Sequence, residues 1–170
     1  IRTMDAFWAG QIKSKEWLIQ HLSDYVVQES SVDILGGWVG ALASLLFQSS
    51  LPIKTIRSVD IDPTIKHVAE EMNRMEHNEG LFRAETGDMI NRYPVTNIVI
   101  NTSFEHITQE QYDEWLSNCP QNAMIIVQGN NYDIPEHIRT SKDLDEFEKQ
   151  CHLTRKFSGT KSLPLYDRYM

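Results

Sequence analysis

The chain has 170 residues, about the length of one compact domain, and we expect residues 1–170 to form a single domain. With 41% hydrophobic and 24% charged residues, the composition is that of a globular protein and excludes a disordered or fibrous chain. The longest apolar run, at residues 41–47, is far shorter than the roughly 18 to 20 residues of a membrane span, and a net charge of -8 disfavours nucleic acid as a partner.

The two cysteines, Cys119 and Cys151, are far apart and form no CxxC pattern. This spacing favours reduced thiols packed in a core over a redox or metal role, and reduced thiols indicate a cytoplasmic protein. Residues 1–11 show no signal or transit peptide pattern. Because the sequence begins at Ile1 and not at methionine, we expect trimmed ends.

The first predicted elements are a helix, a strand and a second helix. The helix over 14–28 begins at the capping residue Ser14, and its apolar side chains recur at helical spacing. Residues 32–35 form a short buried strand, a glycine-rich turn follows at 36–40, and an apolar helix covers 39–48. This order is typical of a strand that turns tightly into a helix.

A second strand at 55–61 is followed by another predicted helix. Asp62 is a natural N-cap and Pro63 suits the first helical position. Apolar residues then continue at helical spacing from Ile65 to Met75.

Three further strands, two helices and a terminal hairpin complete the pattern. Thr108 and Gln111 form a capping box at the start of one helix. The strands are at 81–83, 97–100 and 123–128, the helices follow 108 and cover 141–150, and the hairpin lies within 153–170. The alternation predicts an α/β fold: a three-layer, doubly wound Rossmann-like sheet, mostly parallel, with an antiparallel C-terminal hairpin strand.

Ligands of such sheets bind at the carboxyl ends of the strands, where strand order reverses. The glycines Gly36, Gly37 and Gly40 let the backbone approach a ligand, and Asp60 lies twenty residues past Gly40, where a carboxylate binds the hydroxyls of a ribose. Each feature also has a purely structural explanation, since glycine turns serve close packing and an aspartate before a helix is usually an N-cap. In this order, together, they favour a nucleoside-containing cofactor.

The sequence resembles the class I (Rossmann-like) S-adenosylmethionine-dependent methyltransferases over roughly residues 14–170. The glycine motif is Val-Asp-Ile-Leu-Gly-Gly-Trp-Val-Gly at 32–40, and the acidic second motif is Val-Asp-Ile-Asp-Pro at 59–63. Gly-Asp-Met at 87–89 matches the adenine motif, and 97–107 matches the fourth motif, which ends in Glu-His-hydrophobic. The terminal hairpin also fits, because nicotinamide-binding Rossmann domains lack it.

The resemblance implies S-adenosylmethionine as the cofactor and assigns residues to its parts. The three glycines would lie against its methionine portion and ribose, Asp60 would hold the ribose hydroxyls, and Ile61 would pack on adenine. Asp88 would accept from the adenine amino group, with the Met89 backbone at the ring, and Asn101 would border the sulfonium.

The glycine motif departs from the family pattern at two positions. Trp38 occupies the middle of the family's G-x-G-x-G, and Ile34 stands where an acidic residue is usual, with Asp33 displaced by one. Trp38 has two open interpretations: it walls the methionine end of the cofactor, where an aromatic face suits a sulfonium, or it packs against the first helix. The departure leaves no acidic residue at the position that usually accepts a hydrogen bond from the cofactor's amino group.

The acceptor side offers weaker candidates. Glu105 and His106 are candidate catalytic residues, as a general base near the methyl group, or they only shape the pocket wall. Candidate substrate-binding residues are the polar, aromatic cluster Asn130, Asn131 and Tyr132, which equally fits a plain turn. Two lysines at the start of the first helix, Lys13 and Lys15, either meet the cofactor's carboxylate or are solvated. No metal site is predicted, because His67, His77, His137 and His152 form no HxxxH or HxH pattern.

The predicted function is methyl transfer from S-adenosylmethionine to an unidentified, most simply small-molecule, acceptor, with a homo-oligomer as a further possible assembly. Methyl transfer needs the acceptor held close and in line with the methyl group, so no obligatory nucleophilic residue is expected. The alternatives are a non-catalytic S-adenosylmethionine-binding scaffold or activator, and an enzyme that uses the cofactor for lysis or another group transfer.

Overall fold

The computed structural model describes residues 7–170. The predictions of a single domain over 1–170 and of no signal or transit peptide over 1–11 include residues 1–6, which lie outside the described residues. The helices are α1 (Ala9–Leu22), α2 (Ala41–Gln48), α3 (Lys66–Met72), α4 (Arg74–Asn78), α5 (Gln109–Ser117) and α6 (Leu144–Cys151). The strands are β1 (Ser30–Leu35), β2 (Ile53–Asp60), β3 (Phe82–Thr86), β4 (Ile98–Asn101), β5 (Met124–Val127), β6 (Gly129–Asn130), β7 (Thr160–Ser162) and β8 (Asp167–Tyr169).

The central sheet has five parallel strands in the order β3-β2-β1-β4-β5. The chain runs outward from β1 to β3, then returns to the other side of β1 and runs outward again through β4 and β5. Strand order therefore reverses between β1 and β4, where Leu35 pairs with Asn101. This confirms the predicted doubly wound, Rossmann-like class.

The C-terminal hairpin is antiparallel, as predicted, but it belongs to a separate small sheet. Strand β8 lies between β7 and β6, and β6 begins two residues after β5 ends. Tyr169 of β8 pairs with both Gly129 and Thr160. The small sheet thus extends from the carboxyl end of β5, at the same edge as the predicted site.

Two apolar clusters cover the two faces of the sheet because strand side chains alternate between faces. Val32 and Ile34 of β1 pack in one cluster with residues of α1 and α2. Leu35 packs in the other, which includes Trp115 of α5 and Phe147 of α6. Burial of both faces explains why the strands read as almost continuous apolar runs. Within residues 7–170, no helix combines the length and apolar character that crossing a bilayer requires.

Two predicted helix caps are wrong. Helix α1 covers Ala9–Leu22, not 14–28, and Ser14 is a buried residue inside it whose hydroxyl donates to the side chain of Gln128 at 3.2 Å. Asp62 does not cap a helix: its carboxylate accepts from Thr64 in a turn, and α3 starts only at Lys66. In both cases, a side chain suited to capping has another partner.

The capping box predicted at Thr108 is confirmed: its hydroxyl accepts from the amide of Gln111, and the Gln111 side chain accepts from the amide of Thr108. We expect Thr108→Ala to lower the free energy of unfolding by about 1 kcal/mol, because one amide of the first turn of α5 loses its acceptor. Urea denaturation measures this loss. Thr108→Ser, which keeps the hydroxyl, should cost less than half as much; equal losses would show that the cap does not stabilise α5.

Candidate functional site

The glycine turn is fastened to the end of the neighbouring strand by Asp60. One carboxylate oxygen of Asp60 accepts from the backbone amide of Trp38 at 3.0 Å, and the other accepts from the amide of Asp62 at 3.0 Å. Gly36 and Gly40 have φ angles of 72° and 80°, in the region that favours glycine. Trp38 also has a positive φ, 50°, which is costly for a bulky residue. The carboxylate therefore holds a strained turn in place at the carboxyl ends of β1 and β2.

The first two glycines of the turn are required by the protein's own packing. A Cβ atom at Gly36 would lie 1.7 Å from the Ser103 hydroxyl oxygen, and one at Gly37 would lie 1.9 Å from the Ser58 hydroxyl oxygen. Neither position has room for a side chain. Close packing alone thus explains these glycines, and their contact with a cofactor stays a prediction.

Residues after β3 and at the end of β4 lie at the same edge of the sheet as this turn. Asp88 accepts from the amide of Ile90 at 3.0 Å and so begins a short 3₁₀ turn that contains Met89. The sulfur of Met89 lies 3.7 Å from the Asn101 amide nitrogen. Asn101 is 0% exposed, and its side-chain oxygen accepts from Ser103. The adenine-motif turn and the end of β4 are therefore in direct contact.

Two other predicted cofactor residues differ in exposure. Ile61 is 69% exposed, at the rim of the site next to Asp60. Trp38 is partly buried and packs against the small cluster formed by Val39, Ala41 and Ile65, between α2 and α3. The structure thus gives Trp38 a packing role on the α3 side, where the sequence had suggested the first helix as its packing partner.

Asp33 is not the missing acidic residue of the glycine motif. Its carboxylate is fully buried on the other face of β1 from Ile34, paired with Arg57 at 2.6 Å, and accepts from the amides of Val95 and Thr96. Asp33 therefore fastens the loop before β4 to β1 and β2. Ile34 is a core residue.

The residues predicted for the acceptor side surround a buried ion pair between Glu105 and Arg168. Their charged atoms lie 3.1 Å apart, and the two residues are only 3% and 4% exposed. The same oxygen of Glu105, Oε1, accepts from the side chain of Asn130 at 2.7 Å. Its other oxygen, Oε2, is buried and has no hydrogen-bond partner among the described residues. The segment after β4, β6 and β8 thus meet at one carboxylate.

Helix α1 adds a second cation to this group. Lys15 is partly buried and donates to the side chain of Gln11 at 3.2 Å, whereas Lys13 is exposed. Burial, and secondarily the Arg168 cation, lower the pKa of Lys15 from its ordinary 10.5 to about 8, against the opposing effect of Glu105. Lys15 is therefore a neighbour of the Glu105–Arg168 ion pair, and Lys13 is solvated.

We expect Lys15→Met to be more stable than the wild type near pH 7, and this difference to shrink by about 1.5 kcal/mol between pH 8 and 9.5. Below pH 8, the folded protein carries the cost of a buried ammonium; between pH 8 and 10.5, the unfolded chain binds more protons, so the wild type gains stability as pH rises. Urea denaturation of both proteins across this range isolates Lys15 from other titrating groups. A constant difference would show that Lys15 titrates normally.

Two of the three predicted substrate-binding residues, Asn130 and Asn131, make hydrogen bonds within the protein itself. Asn131 accepts from and donates to the backbone of Asp167, and so joins the hairpin to the end of β6. Asn130 is buried against Glu105. The Tyr132 ring stacks on Tyr166, with ring centroids 5.1 Å apart. Of the three residues, Tyr132 is the one that offers an aromatic face. Together with Tyr166 it forms a pair of rings suited to a flat ligand.

Sequence reasoning missed Arg168 and Tyr166, which the terminal hairpin brings to the site. The guanidinium of Arg168 lies 5.4 Å from the centre of the Tyr166 ring and within 3.4 Å of its hydroxyl. No local pattern marks these residues, because a strand of three residues carries no motif. The terminal hairpin is the one feature of the sequence that points to them, and it predicts part of the fold without indicating residues of a site.

No protein-family model matches the sequence. Among curated proteins, it is 26% identical over 125 residues to the ribosomal protein L11 methyltransferase of Staphylococcus aureus, covering 73% of this chain. The chain spans 39% of the length of that relative.

Solved structures share the fold at lower identity. The magnesium protoporphyrin IX methyltransferase of Synechocystis, with bound S-adenosylhomocysteine, superposes with a TM-score of 0.72 at 14% identity, covering 92% of this chain and 80% of that one. The ribosomal protein L11 methylase of Lactobacillus delbrueckii subsp. bulgaricus gives 0.66 at 13% identity, covering 92% of this chain and 76% of that one. The fold is thus that of the class I methyltransferases, as the sequence motifs predicted.

Proposed function

We propose that this chain, which has the fold of the class I S-adenosylmethionine-dependent methyltransferases, binds S-adenosylmethionine and transfers its methyl group to a small molecule. The observation that carries the proposal is the position of the glycine turn. It lies at the reversal point between β1 and β4, and the Asp60 carboxylate of β2 is fastened to it. Ligands of open parallel sheets bind at this point.

The polar residues at this edge fit the chemistry of an adenosyl cofactor. Asp60 and Asp88 each accept from backbone amides, and a carboxylate has about four acceptor sites, so both keep capacity for the hydroxyls of a sugar and the amino group of adenine. Asn101 is 0% exposed, so a direct contact with the sulfonium end would require the Met89 side chain to move. The cofactor, when bound, supplies a methyl group already activated by its sulfonium.

The residues on the acceptor side would orient the acceptor and exclude water. Glu105 is fixed by Arg168 and Asn130, and the Tyr132 and Tyr166 rings stack beside them. A rigid, polar and aromatic wall can position an acceptor without a protein nucleophile, which is all that an in-line displacement demands. The known neighbours differ in acceptor, one named for a ribosomal protein and one for a porphyrin, so the small-molecule assignment rests on the chain's own net charge of -8 and on this compact wall.

Calorimetric titration tests cofactor binding. We expect S-adenosylmethionine and S-adenosylhomocysteine to bind, and NAD to give no heat. If both adenosyl compounds fail to bind at high micromolar concentration while NAD binds, the cofactor assignment is wrong.

Mass spectrometry tests the transfer itself. The protein is incubated with S-adenosylmethionine and a small-molecule fraction of a cell extract, with heat-inactivated protein as the control. A gain of about 14 Da in one compound supports methyl transfer. Cofactor binding without any such gain in small-molecule or polymer fractions would favour the non-catalytic scaffold.

A further inference from the structure

Three side chains with metal-binding atoms converge beside the buried ion pair. Glu105, His106 and His137 each offer one ligand atom, and these atoms lie within 4.8 Å of one another. Glu105 and His106 follow β4, whereas His137 comes from the loop between β6 and α6. The two imidazole rings have centroids 5.0 Å apart in an edge-to-face arrangement. The fold thus brings the adjacent Glu105 and His106 together with a histidine about thirty residues later in the sequence.

Both histidines are held by backbone carbonyls at the same ring nitrogen. His106 Nδ1 lies 3.1 Å from the carbonyl oxygen of Glu136, and His137 Nδ1 lies 2.6 Å from the carbonyl oxygen of Tyr132. A carbonyl oxygen only accepts hydrogen bonds, so Nδ1 of each neutral ring carries the proton. The lone pair is then on Nε2. Metal-binding histidines are typically fixed in this way, with one nitrogen donating to a carbonyl and the other free for the ion.

Glu105 presents a buried oxygen that the protein leaves unsatisfied. Arg168 and Asn130 both bind Oε1, which fixes the direction of the carboxylate, while Oε2 is buried without a partner. Burying an unpaired carboxylate oxygen is costly, so this atom favours a partner such as a cation or a water molecule. A cation at Oε2 would supply it.

We propose that Glu105, His106 and His137 form a binding site for a divalent first-row transition metal ion. Two imidazoles and one carboxylate suit Zn²⁺, Mn²⁺, Fe²⁺ or Co²⁺, and three protein ligands leave positions for water or for an oxygen of a substrate. The three ligand atoms lie within 4.8 Å of one another, whereas ligand atoms around a tetrahedral ion lie about 3.4 Å apart, so the side chains would shift toward an ion on binding.

The role of the ion rests on the proposed function, although the site itself does not. The site adjoins the Glu105–Arg168 wall, so a bound ion would hold an oxygen of the acceptor there and lower the pKa of a hydroxyl. The nearby cations Lys15 and Arg168 oppose a further positive charge, and the Glu105 anion offsets one of them. The acceptor class that follows is a small molecule with a hydroxyl or carboxylate oxygen.

Cobalt binding tests the site without any cofactor or acceptor. Protein treated with a chelator and then freed of it is titrated with Co²⁺ at pH 7.5, and binding is followed by visible d–d absorption. We expect one equivalent to bind, and His106→Ala and His137→Ala each to weaken binding more than tenfold. His77→Ala is the matched control, because His77 Nδ1 also faces a carbonyl oxygen, that of Phe82 at 3.2 Å, away from the site.

The proposal is overturned if Co²⁺ gives no d–d band, or if His137→Ala binds Co²⁺ as the wild type does. Equal weakening in His77→Ala would also overturn it, by showing scattered surface binding. Circular dichroism confirms that each variant is folded, and Glu105→Asp, which keeps the charge, provides a third ligand change. Because no S-adenosylmethionine is present, failure of the methyltransferase proposal would leave the cobalt result intact, and the reverse also holds.

Discussion

Asp60→Ala is expected to weaken the binding of S-adenosylhomocysteine about 10- to 150-fold. The substitution would remove the two hydrogen bonds that the ribose hydroxyls donate to the carboxylate, and these together contribute about 1.5 to 3 kcal/mol because the acceptor is charged. It would also release the amide of Trp38 and so loosen the glycine turn. Isothermal titration calorimetry at fixed pH measures the change. The demethylated product is the better probe, because it cannot react during the titration.

Two further variants distinguish a lost contact with the ribose from a change in the conformation of the glycine turn. Asp62→Ala removes a carboxylate of the same loop that accepts from Thr64, and should leave affinity within about twofold of the wild type. Asp60→Asn keeps one acceptor oxygen and should give an intermediate affinity. Wild-type affinity in Asp60→Ala would remove this carboxylate from the cofactor site. Equal losses in Asp60→Ala and Asp62→Ala would assign the effect to the loop's conformation.

The strands of the central sheet were predictable because their signals are local. The strand Ile98–Asn101, for example, is buried along its length and begins with three β-branched residues, and each predicted parallel strand is present within a few residues. Helix starts were less predictable where a polar side chain had a distant partner. Ser14 looked like a cap but bonds to Gln128, 114 residues away. A local rule cannot anticipate such a contact.

The residues of the proposed cofactor site could be predicted for the same reason, since they follow strands within short segments. The residues of the proposed acceptor site could not, because they come from remote parts of the chain. Glu105 and Arg168, for example, are 63 residues apart. The prediction of no metal site used the spacing of histidines along the chain, and that spacing does not show that His106 and His137 lie close together in the fold.

Arg168→Met is expected to lower the free energy of unfolding by about 3 to 5 kcal/mol. Removing one partner of a buried ion pair leaves the other charge uncompensated. Glu105 would keep the Asn130 amide and the more distant Lys15, neither of which replaces a direct cation at 3.1 Å. Urea denaturation at pH 7 measures the loss. A cost below about 1 kcal/mol would show that water reaches Glu105 and that the pair is weak.

A double-mutant cycle with Glu105→Gln measures the coupling between the two charges. The double variant leaves neither charge buried, so it should be more stable than the sum of the two single losses predicts, by about 2 to 3 kcal/mol. Additive losses would mean that Arg168 does not hold Glu105. The orientation that leaves Oε2 of Glu105 unpartnered, on which the metal proposal depends, would then lack its support, because Asn130 alone would fix the carboxylate.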